Sequence, residues 1–480
     1  MKKWVLLSFL VAPAAVSLEA INDDGMASVY GQAGITIETI ANNADGTVAT
    51  VGGVRYTEVD EDGLGDEYLE LNDLKLQIVS LDNAGNIIGP GSFNTTIDVL
   101  ASGDLLIRST DLQALNFTVG SIGFSGRSIG ALGLTRWRFA PDSYLETAVL
   151  GGTPTKIRAR TYMTEGSGID FRYIEDELVL TSNIAFKENS AGEAFLSEFF
   201  VSADAGELRI ELGTTRGTLE INDLQLSTLA GDPLLDGRSF GDIGYGDVEI
   251  NQGYLTVAAN PTGEGLQGVL ASDLTIGTAF YRTNNKRMNF EDISLKTNGE
   301  INYRFELEGT ENDFGRGFTT VLSGISDLDL TIGAFVFSEA DGLTGRSGSL
   351  GSVAIENLNL NGGEITSSLW ALSGAGEQGI RLDVEVAEGT SFDFTFKEQK
   401  DDDAQISAEV VLGNLVSETL IDITKKGLHM TVESFEAEAH VNAIRLGDGQ
   451  MYQGQTGRLD VDGLTVAPGS YLRVEPIPAI

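Results

Sequence analysis

The feature that most limits the fold of this chain is an alternation of apolar and polar side chains with a period of two. It is clearest in segments such as "YLELNDLKLQI", "ELRIELGTTRGTLEINDLQLSTL" and "SDLDLTIGAFVF". This period places successive side chains on opposite faces of an extended strand. Turn clusters such as "DNAGN", "KTNGE" and "TKKGL" separate these segments. Because a sustained helical period is hard to find, the sequence predicts an all-β protein.

A Gly-Arg-Ser phrase recurs along the chain at a nearly constant spacing. It begins at Gly126, Gly237 and Gly345, and a degenerate copy begins at Gly457, so the copies lie 111, 108 and 112 residues apart. Glycine permits a positive φ, and serine can hydrogen-bond to nearby backbone groups. The phrase therefore suits a tight connection between strands.

Further landmarks keep the same register as this phrase. The segment Ala140–Leu145, "APDSYL", reappears near the end of the chain as Ala467–Leu472, "APGSYL". We predict about four divergent antiparallel β units of ~110 residues in tandem, forming an elongated sheet, sandwich or barrel-like body. The predicted units span residues 18–150, 151–257, 258–370 and 371–480.

The first residues have the composition of a secretory signal peptide. Lys2 and Lys3 precede the apolar stretch "WVLLSFLVAPAAV" of 13 residues, and small residues follow it. We predict a signal peptide over residues 1–17, with cleavage after Ser17 or after Ala20. The mature protein is therefore expected to be exported, and no later apolar run is long enough for a transmembrane helix.

The charge of the chain argues against several classes of partner. With 71 Asp and Glu against 31 Lys and Arg, the formal net charge is -40. Such a field repels nucleic-acid phosphates and anionic lipid headgroups, so no nucleic acid is expected as a partner. Because hydrophobic residues make up 41%, the chain can bury a core. It contains no cysteine, which excludes disulfides and thiolate chemistry.

One short segment resembles a known protein family. Residues 28–36, "SVYGQAGIT", resemble the signature V-x-G-Q-x-G-I/V that follows the signal peptide in an uncharacterised family of Gram-negative exported β-rich proteins. Members of that family are often assigned to pilus systems, and their activity is unknown. The resemblance implies an exported surface or filament-associated protein, and it carries no catalytic residues.

The segment "VDEDGLGDE" is the one candidate for metal binding. Its carboxylates belong to Asp60, Asp62, Asp66 and Glu67, on a loop that Gly63 and Gly65 make flexible. Carboxylate oxygens are the ligands that calcium prefers, although the order of an EF-hand is missing. The loop is thus a calcium candidate, and a solvated acidic turn is the alternative. No other cofactor is indicated.

The sequence offers little else that points to catalysis. The two histidines, His429 and His440, lie in strand-like sequence, and no HExxH motif, Ser-His-Asp spacing or phosphate-binding loop is present. We therefore expect a protein that is not an enzyme. A secreted enzyme acting on polysaccharide remains an alternative, because 71 acidic residues produce close carboxylate pairs by chance.

Three functional classes follow from these observations. The first is an exported structural or adhesive protein of a Gram-negative cell surface, associated with a pilus or filament system. Its partners would be other surface or pilus proteins, or further copies of itself. The second class is an outer-membrane β-barrel, since alternating strands after a signal peptide are also typical of one. The third class is the polysaccharide-active enzyme. We expect the first class.

Overall fold

The structure is a computed structural model of the whole chain. It describes residues 35–41, 43–58, 67–124, 127–175, 177–204, 206–229, 238–260, 265–283, 286–309, 316–339, 348–371, 380–398, 405–424, 427–446, 457–474 and 477–478. All regular elements in these ranges are strands, so the predicted all-β fold is confirmed.

The strands, in chain order, are β1 (Ile35–Ile40), β2 (Thr47–Glu58), β3 (Glu67–Leu81), β4 (Ile87–Pro90), β5 (Ser92–Val99), β6 (Leu105–Thr110), β7 (Ala114–Phe124), β8 (Arg127–Arg138), β9 (Tyr144–Leu150), β10 (Lys156–Met163), β11 (Gly168–Glu175), β12 (Leu178–Lys187), β13 (Phe195–Asp204), β14 (Glu207–Thr228), β15 (Arg238–Ser239), β16 (Asp242–Ala259), β17 (Leu266–Thr283), β18 (Lys286–Thr297), β19 (Ile301–Gly309), β20 (Arg316–Ser323), β21 (Leu328–Glu339), β22 (Gly348–Asn359), β23 (Glu364–Ala371), β24 (Ile380–Val386), β25 (Ser391–Lys397), β26 (Gln405–Thr424), β27 (Gly427–Leu446), β28 (Gly457–Thr465), β29 (Ser470–Val474) and β30 (Ile477–Pro478).

The strands form an antiparallel up-and-down meander in which the chain crosses one sheet repeatedly. Some crossings are single long strands, such as β14, β16, β17, β26 and β27. Others consist of two strands joined at a bend, such as β8–β9, β10–β11 and β28–β29. We call the side that holds β3, β7, β8, β11 and β12 the upper half of the sheet. The lower half holds β5, β6, β9, β10 and β13. Each crossing pairs with the crossings before and after it.

The bends between the two halves coincide with the hydrophobic core. One cluster of buried side chains includes Leu112, Phe139, Met163 and Phe186, each at or beside a bend. A second cluster contains Ile301, Ile325 and Leu360 at the corresponding places further along the chain. Burial of these apolar side chains near the bends stabilises the packing between the halves.

The first part of the meander is a closed body. Rows of paired strands run from β3 to β14 in the upper half and from β5 to β14 in the lower half. Only Gly91 separates β4 from β5, and β4 pairs with β3. The result is a closed 12-strand antiparallel barrel to which further strands are added. Phe124 of β7 packs against Phe318 of β20, with ring centroids 5.8 Å apart.

The Gly-Arg-Ser phrases mark comparable places in this meander. Gly126, Gly237 and Gly345 lie outside the described residues, and Gly457 is the first residue of β28. After each phrase the chain returns beside the preceding strand: β8 pairs with β7, β15 and then β16 pair with β14, β22 pairs with β21, and β28 pairs with β27. The phrase therefore stands before the returning strand of a hairpin.

The four predicted units share one sheet. Hydrogen-bonded strand pairs cross each predicted boundary, because β9 pairs with β10, β16 with β17, and β23 with β24. Each predicted unit from residue 151 onward begins within two residues of the end of a crossing. The boundaries themselves stay a prediction.

Several strands contain an acidic or amide residue with left-handed backbone. The φ angles are +52° at Asp73, +55° at Asp223, +53° at Asp247, +52° at Asp292 and +56° at Asn357. Asp and Asn tolerate this region better than other side chains, and an apolar residue follows each of them in the sequence. A Cβ added at Gly333 would lie 2.8 Å from the Cβ of Asp292, so the glycine leaves room for this irregularity.

Replacing Asp292 tests the role of this backbone conformation. Asp292→Val should lower the free energy of unfolding by about 1–3 kcal/mol, because a β-branched residue is strained at positive φ. Asp292→Gly should cost little. Glu249→Val, at an exposed position of β16 without positive φ, serves as the matched control and should be nearly neutral. Urea denaturation measures all three, and equal losses for both valine variants would contradict the assignment.

Candidate functional site

The predicted calcium loop is only partly described. Asp60, Asp62 and Asp66 lie outside the described residues, and Glu67 begins β3 directly opposite Glu58 of β2. Within the described ranges, no group of three or more His, Cys, Asp or Glu side chains is placed to hold a metal ion. The calcium site therefore stays a prediction.

A row of alternating charges crosses four neighbouring strands of the lower half. Arg108 of β6 lies opposite Glu146 of β9, Glu146 lies opposite Arg160 of β10, and Arg160 lies opposite Glu198 of β13. Side chains directly opposite each other in antiparallel strands are close enough to interact. The register of the sheet therefore brings opposite charges together at every step of this row.

Glu146 is the centre of this charge row, and its side chain is only 1% exposed. Its Oε2 accepts a hydrogen bond from Arg108 Nε at 2.9 Å, and its Oε1 accepts one from Arg158 Nη2 at 2.7 Å. Arg160 Nε donates to Glu198 Oε2 at 2.8 Å. A carboxylate is buried at low cost only when such partners replace water.

Aromatic rings complete the cluster around Glu146. Tyr144 and Tyr162 are stacked with ring centroids 5.0 Å apart, and the guanidinium of Arg108 lies 4.5 Å above the Tyr144 ring. Burial alone would lower the pKa of Arg160, but its hydrogen bond to Glu198 and the charges of Glu198 and Glu146 raise this pKa overall. Three arginines face two glutamates, so both carboxylates have partners of opposite charge on neighbouring strands.

The two histidines lie in different halves of β27. The ring of His429 packs edge-on against Tyr471 of β29, with centroids 5.0 Å apart. His440 Nδ1 lies 2.8 Å from Asp460 Oδ1 of β28. Hydrogen bonds from Arg458 and His440 hold the pKa of Asp460 below its usual value. Both histidines thus contact the last strands of the sheet.

The meander has an open edge at each end. At the leading edge, which we define as β1 and β2, the strands pair with β5 and β3. At the trailing edge, defined as β28 and β29, both strands pair with β27. Across the part of the chain that the structure describes, no further strand pairs with β1, β2, β28 or β29, and the two-residue β30 that follows β29 pairs with β15. Open edges present backbone N–H and C=O groups that another strand can bind.

Large apolar side chains are exposed along both edges. The exposed fractions are 56% for Ile35 and 58% for Ile40 at the leading edge, and 53% for Leu459, 62% for Tyr471 and 61% for Leu472 at the trailing edge. Soluble proteins usually shorten or charge an edge strand. Here β2 spans 12 residues and β28 spans 9, β28 carries Arg458, Asp460 and Asp462, and most of the exposed apolar side chains lie on the shorter β1 and β29. The two edges are therefore the candidate binding sites of this protein.

Sequence reasoning did not identify these features. The charge row depends on the register between strands far apart in the sequence, although "LETA" and "RART" carry suitable charges in adjacent crossings. The edges depend on which strands lack a neighbour, and a period of two gives no such information. Knowing that the chain is one uninterrupted meander would have assigned the edges to its first and last crossings.

The first part of the chain matches a known family model. A family model described as a family of unknown function (DUF6160) matches residues 1–101. The matched residues include the predicted signal peptide and the segment of residues 28–36, but the description names no function. No curated protein and no solved structure matches the chain. Among the described residues, no helix is long and apolar enough to cross a membrane.

Proposed function

We propose that the protein is an exported structural or adhesive component of a Gram-negative cell surface, with a role in binding rather than in turnover. It would bind other surface or pilus proteins, or further copies of itself, through the edges of its sheet. The observation that carries this proposal is the pair of long open edges with exposed apolar side chains. Adding a strand at such an edge joins backbone hydrogen bonds to apolar contacts.

The proposal includes an internal repeat of four crossings. The crossings that return after the Gly-Arg-Ser phrases contain β8, β16, β22 and β28. Three further crossings lie between each of these crossings and the next. The predicted units of residues 18–150, 151–257, 258–370 and 371–480 would then each contribute four crossings. A repeating sheet can be lengthened without changing the packing at each bend, which suits a structural protein.

The remaining surface supports the same proposal. The formal net charge of -40 keeps copies in solution until a specific contact forms. The Glu146 cluster links four strands of the lower half by ion pairs. A stabilised sheet between two edges that can bind suits a surface structural protein.

Labelling of intact cells tests the location. Because the chain has no cysteine, Ala101→Cys, in the exposed turn between β5 and β6, introduces a single accessible thiol. We expect a membrane-impermeant maleimide to modify it on intact cells. Ser167→Cys is the matched control, because Ser167 is only 2% exposed and should be labelled only after denaturation.

Extraction of the same cells separates the alternatives. Release of the labelled protein without detergent would support the surface structural role. Labelling that requires broken cells would contradict a surface location. A requirement for detergent would favour the outer-membrane β-barrel and would also contradict the proposal.

A further inference from the structure

The trailing edge repeats a segment that is covered elsewhere in the same protein. The last bend, "APGSYL" from Ala467 to Leu472, matches "APDSYL" from Ala140 to Leu145, at the bend between β8 and β9. Leu145 packs against the first core cluster, whereas the corresponding Leu472 is 61% exposed. The same sequence pattern is thus partly buried at the bend between β8 and β9 and exposed at the trailing edge.

The internal copy is covered by the next crossing, β10–β11. Ser143 Oγ accepts a hydrogen bond from Thr164 N at 3.0 Å and lies 3.0 Å from Ser167 Oγ. Tyr144 stacks on Tyr162 of β10. Ser470 and Tyr471 occupy the same places in the trailing edge, and no crossing follows them among the described residues. The trailing edge therefore lacks the neighbour that β8–β9 has.

The leading edge has the features of that missing neighbour. Its bend reads Asp45-Gly46-Thr47, and the bend of β10–β11 reads Glu165-Gly166-Ser167. Gly46 and Gly166 both have left-handed backbone, with φ of +75° and +92°. Both crossings also end in the pattern Arg-Tyr-x-Glu, at residues 55–58 in β2 and residues 172–175 in β11. The first crossing of the chain therefore resembles the crossing that covers "APDSYL".

The direction and the dimensions of the two edges also agree. The chain runs from the lower to the upper half in β1–β2 and from the upper to the lower half in β28–β29. A leading edge placed after β29 would continue the antiparallel alternation, with β1 beside β29 and β2 beside β28. β1 and β29 span 6 and 5 residues, and β2 and β28 span 12 and 9 residues.

We propose that the leading edge of a second copy of this chain adds to the trailing edge of the first, so that copies join head to tail in one continuous sheet. This inference deepens the proposed structural role and rests on it for its biological setting. Tyr471 and Leu472 would lose their exposure as Tyr144 and Leu145 do beside β10. Because the two edges are different surfaces, the contact is heterologous and leaves a free edge at both ends of every assembly.

Two edge variants and their mixture test the head-to-tail contact. Leu472→Lys should block the trailing edge, and Ile40→Lys should block the leading edge, because each places a charge where an apolar contact forms. Each purified variant should be monomeric by light scattering at concentrations where the natural chain forms oligomers. Their equimolar mixture should give a dimer, since one variant keeps an intact leading edge and the other an intact trailing edge.

A matched control excludes a general effect of the added lysine. Phe337 is 46% exposed on β21, which has strand partners on both sides. Phe337→Lys should leave the oligomers unchanged. Circular dichroism must show the β spectrum for every variant, and formation of a dimer in the mixture itself requires that both edge variants are folded.

A disulfide gives a second readout that does not depend on loss of binding. Ser470→Cys combined with Thr47→Cys in one chain should yield a ladder of multimers after mild oxidation, because Ser143 and Ser167 are in contact at the internal bend. Each single-cysteine variant should give at most a dimer. The pair Ser470→Cys and Ala101→Cys should give no ladder.

Several outcomes would overturn the inference. They are a natural chain that stays monomeric at all concentrations, a mixture that forms no dimer, or an edge variant that still oligomerises alone. A protein that is labelled on intact cells but is monomeric would refute this contact and leave the proposed surface role standing. A protein that assembles head to tail but is not on the surface would support this contact and refute the proposed surface role.

Discussion

Replacement of Glu146 by glutamine is expected to lower the free energy of unfolding by about 3 kcal/mol. The carboxylate is 1% exposed and binds arginines of two neighbouring strands. Removing its charge leaves the guanidinium groups of Arg108 and Arg158 beside a neutral amide, and breaking one partner of a buried ion pair costs about 3–5 kcal/mol. The lower end applies because Arg108 is 42% exposed and water can solvate it. Chemical denaturation monitored by circular dichroism measures the change.

Glu211→Gln is the matched control for this experiment. Glu211 also pairs with a cation, Lys156, at 2.6 Å, but the two side chains are 29% and 36% exposed. Solvent-exposed pairs contribute only about 0–1 kcal/mol. A loss at Glu146 no larger than the loss at Glu211 would show that the charge row does not stabilise the sheet.

Met163→Ala is expected to cost about 2–5 kcal/mol, because it removes a fully buried side chain from the core. Met163 is 0% exposed and lies at the end of β10, where the two halves of the sheet meet. The cavity would border Phe139 and Phe186, members of the same cluster. The loss should appear as a lower denaturation midpoint with an unchanged slope.

Ile88→Ala provides the comparison, since Ile88 is 66% exposed on β4. Removing an exposed apolar side chain should change the free energy of unfolding by less than about 0.5 kcal/mol. If both variants unfold at the same denaturant concentration, the cluster at the bends is not the stabilising core.

The strand content could be predicted from the sequence because the period of two is a local property. The alternating segment "ELRIELGTTRGTLEINDLQLST" is the whole of β14, and the cluster "DNAGN" separates β3 from β4. The cluster "KTNGE" likewise separates β18 from β19. Side-chain alternation and turn residues act within a few positions, so they can be recognised without knowing the partners of each strand.

The bends and the edges could not be predicted in this way. A bend such as Thr164 to Ser167 has the same composition as a hairpin turn, but the chain continues in the other half of the sheet instead of returning. The charge row requires Arg108 and Glu198 to lie in register with β9 and β10, which the local pattern does not determine. The acidic segment at Asp60 is a calcium candidate by its composition alone, and calcium binding there stays a prediction.

The neighbour-to-neighbour pairing of the meander has a consequence for how the chain folds. Crossings pair mainly with the crossings next to them along the chain, as β26 does with β27. Pairs such as Leu69 and Phe124 still join residues far apart in the sequence, so the cost of loop closure slows folding compared with that of a helical protein. A chain that emerges N-terminus first can add each hairpin to the sheet already present. Each added crossing would present an open edge to which the next crossing pairs. Among the described residues, β28 and β29 form the last edge of this kind.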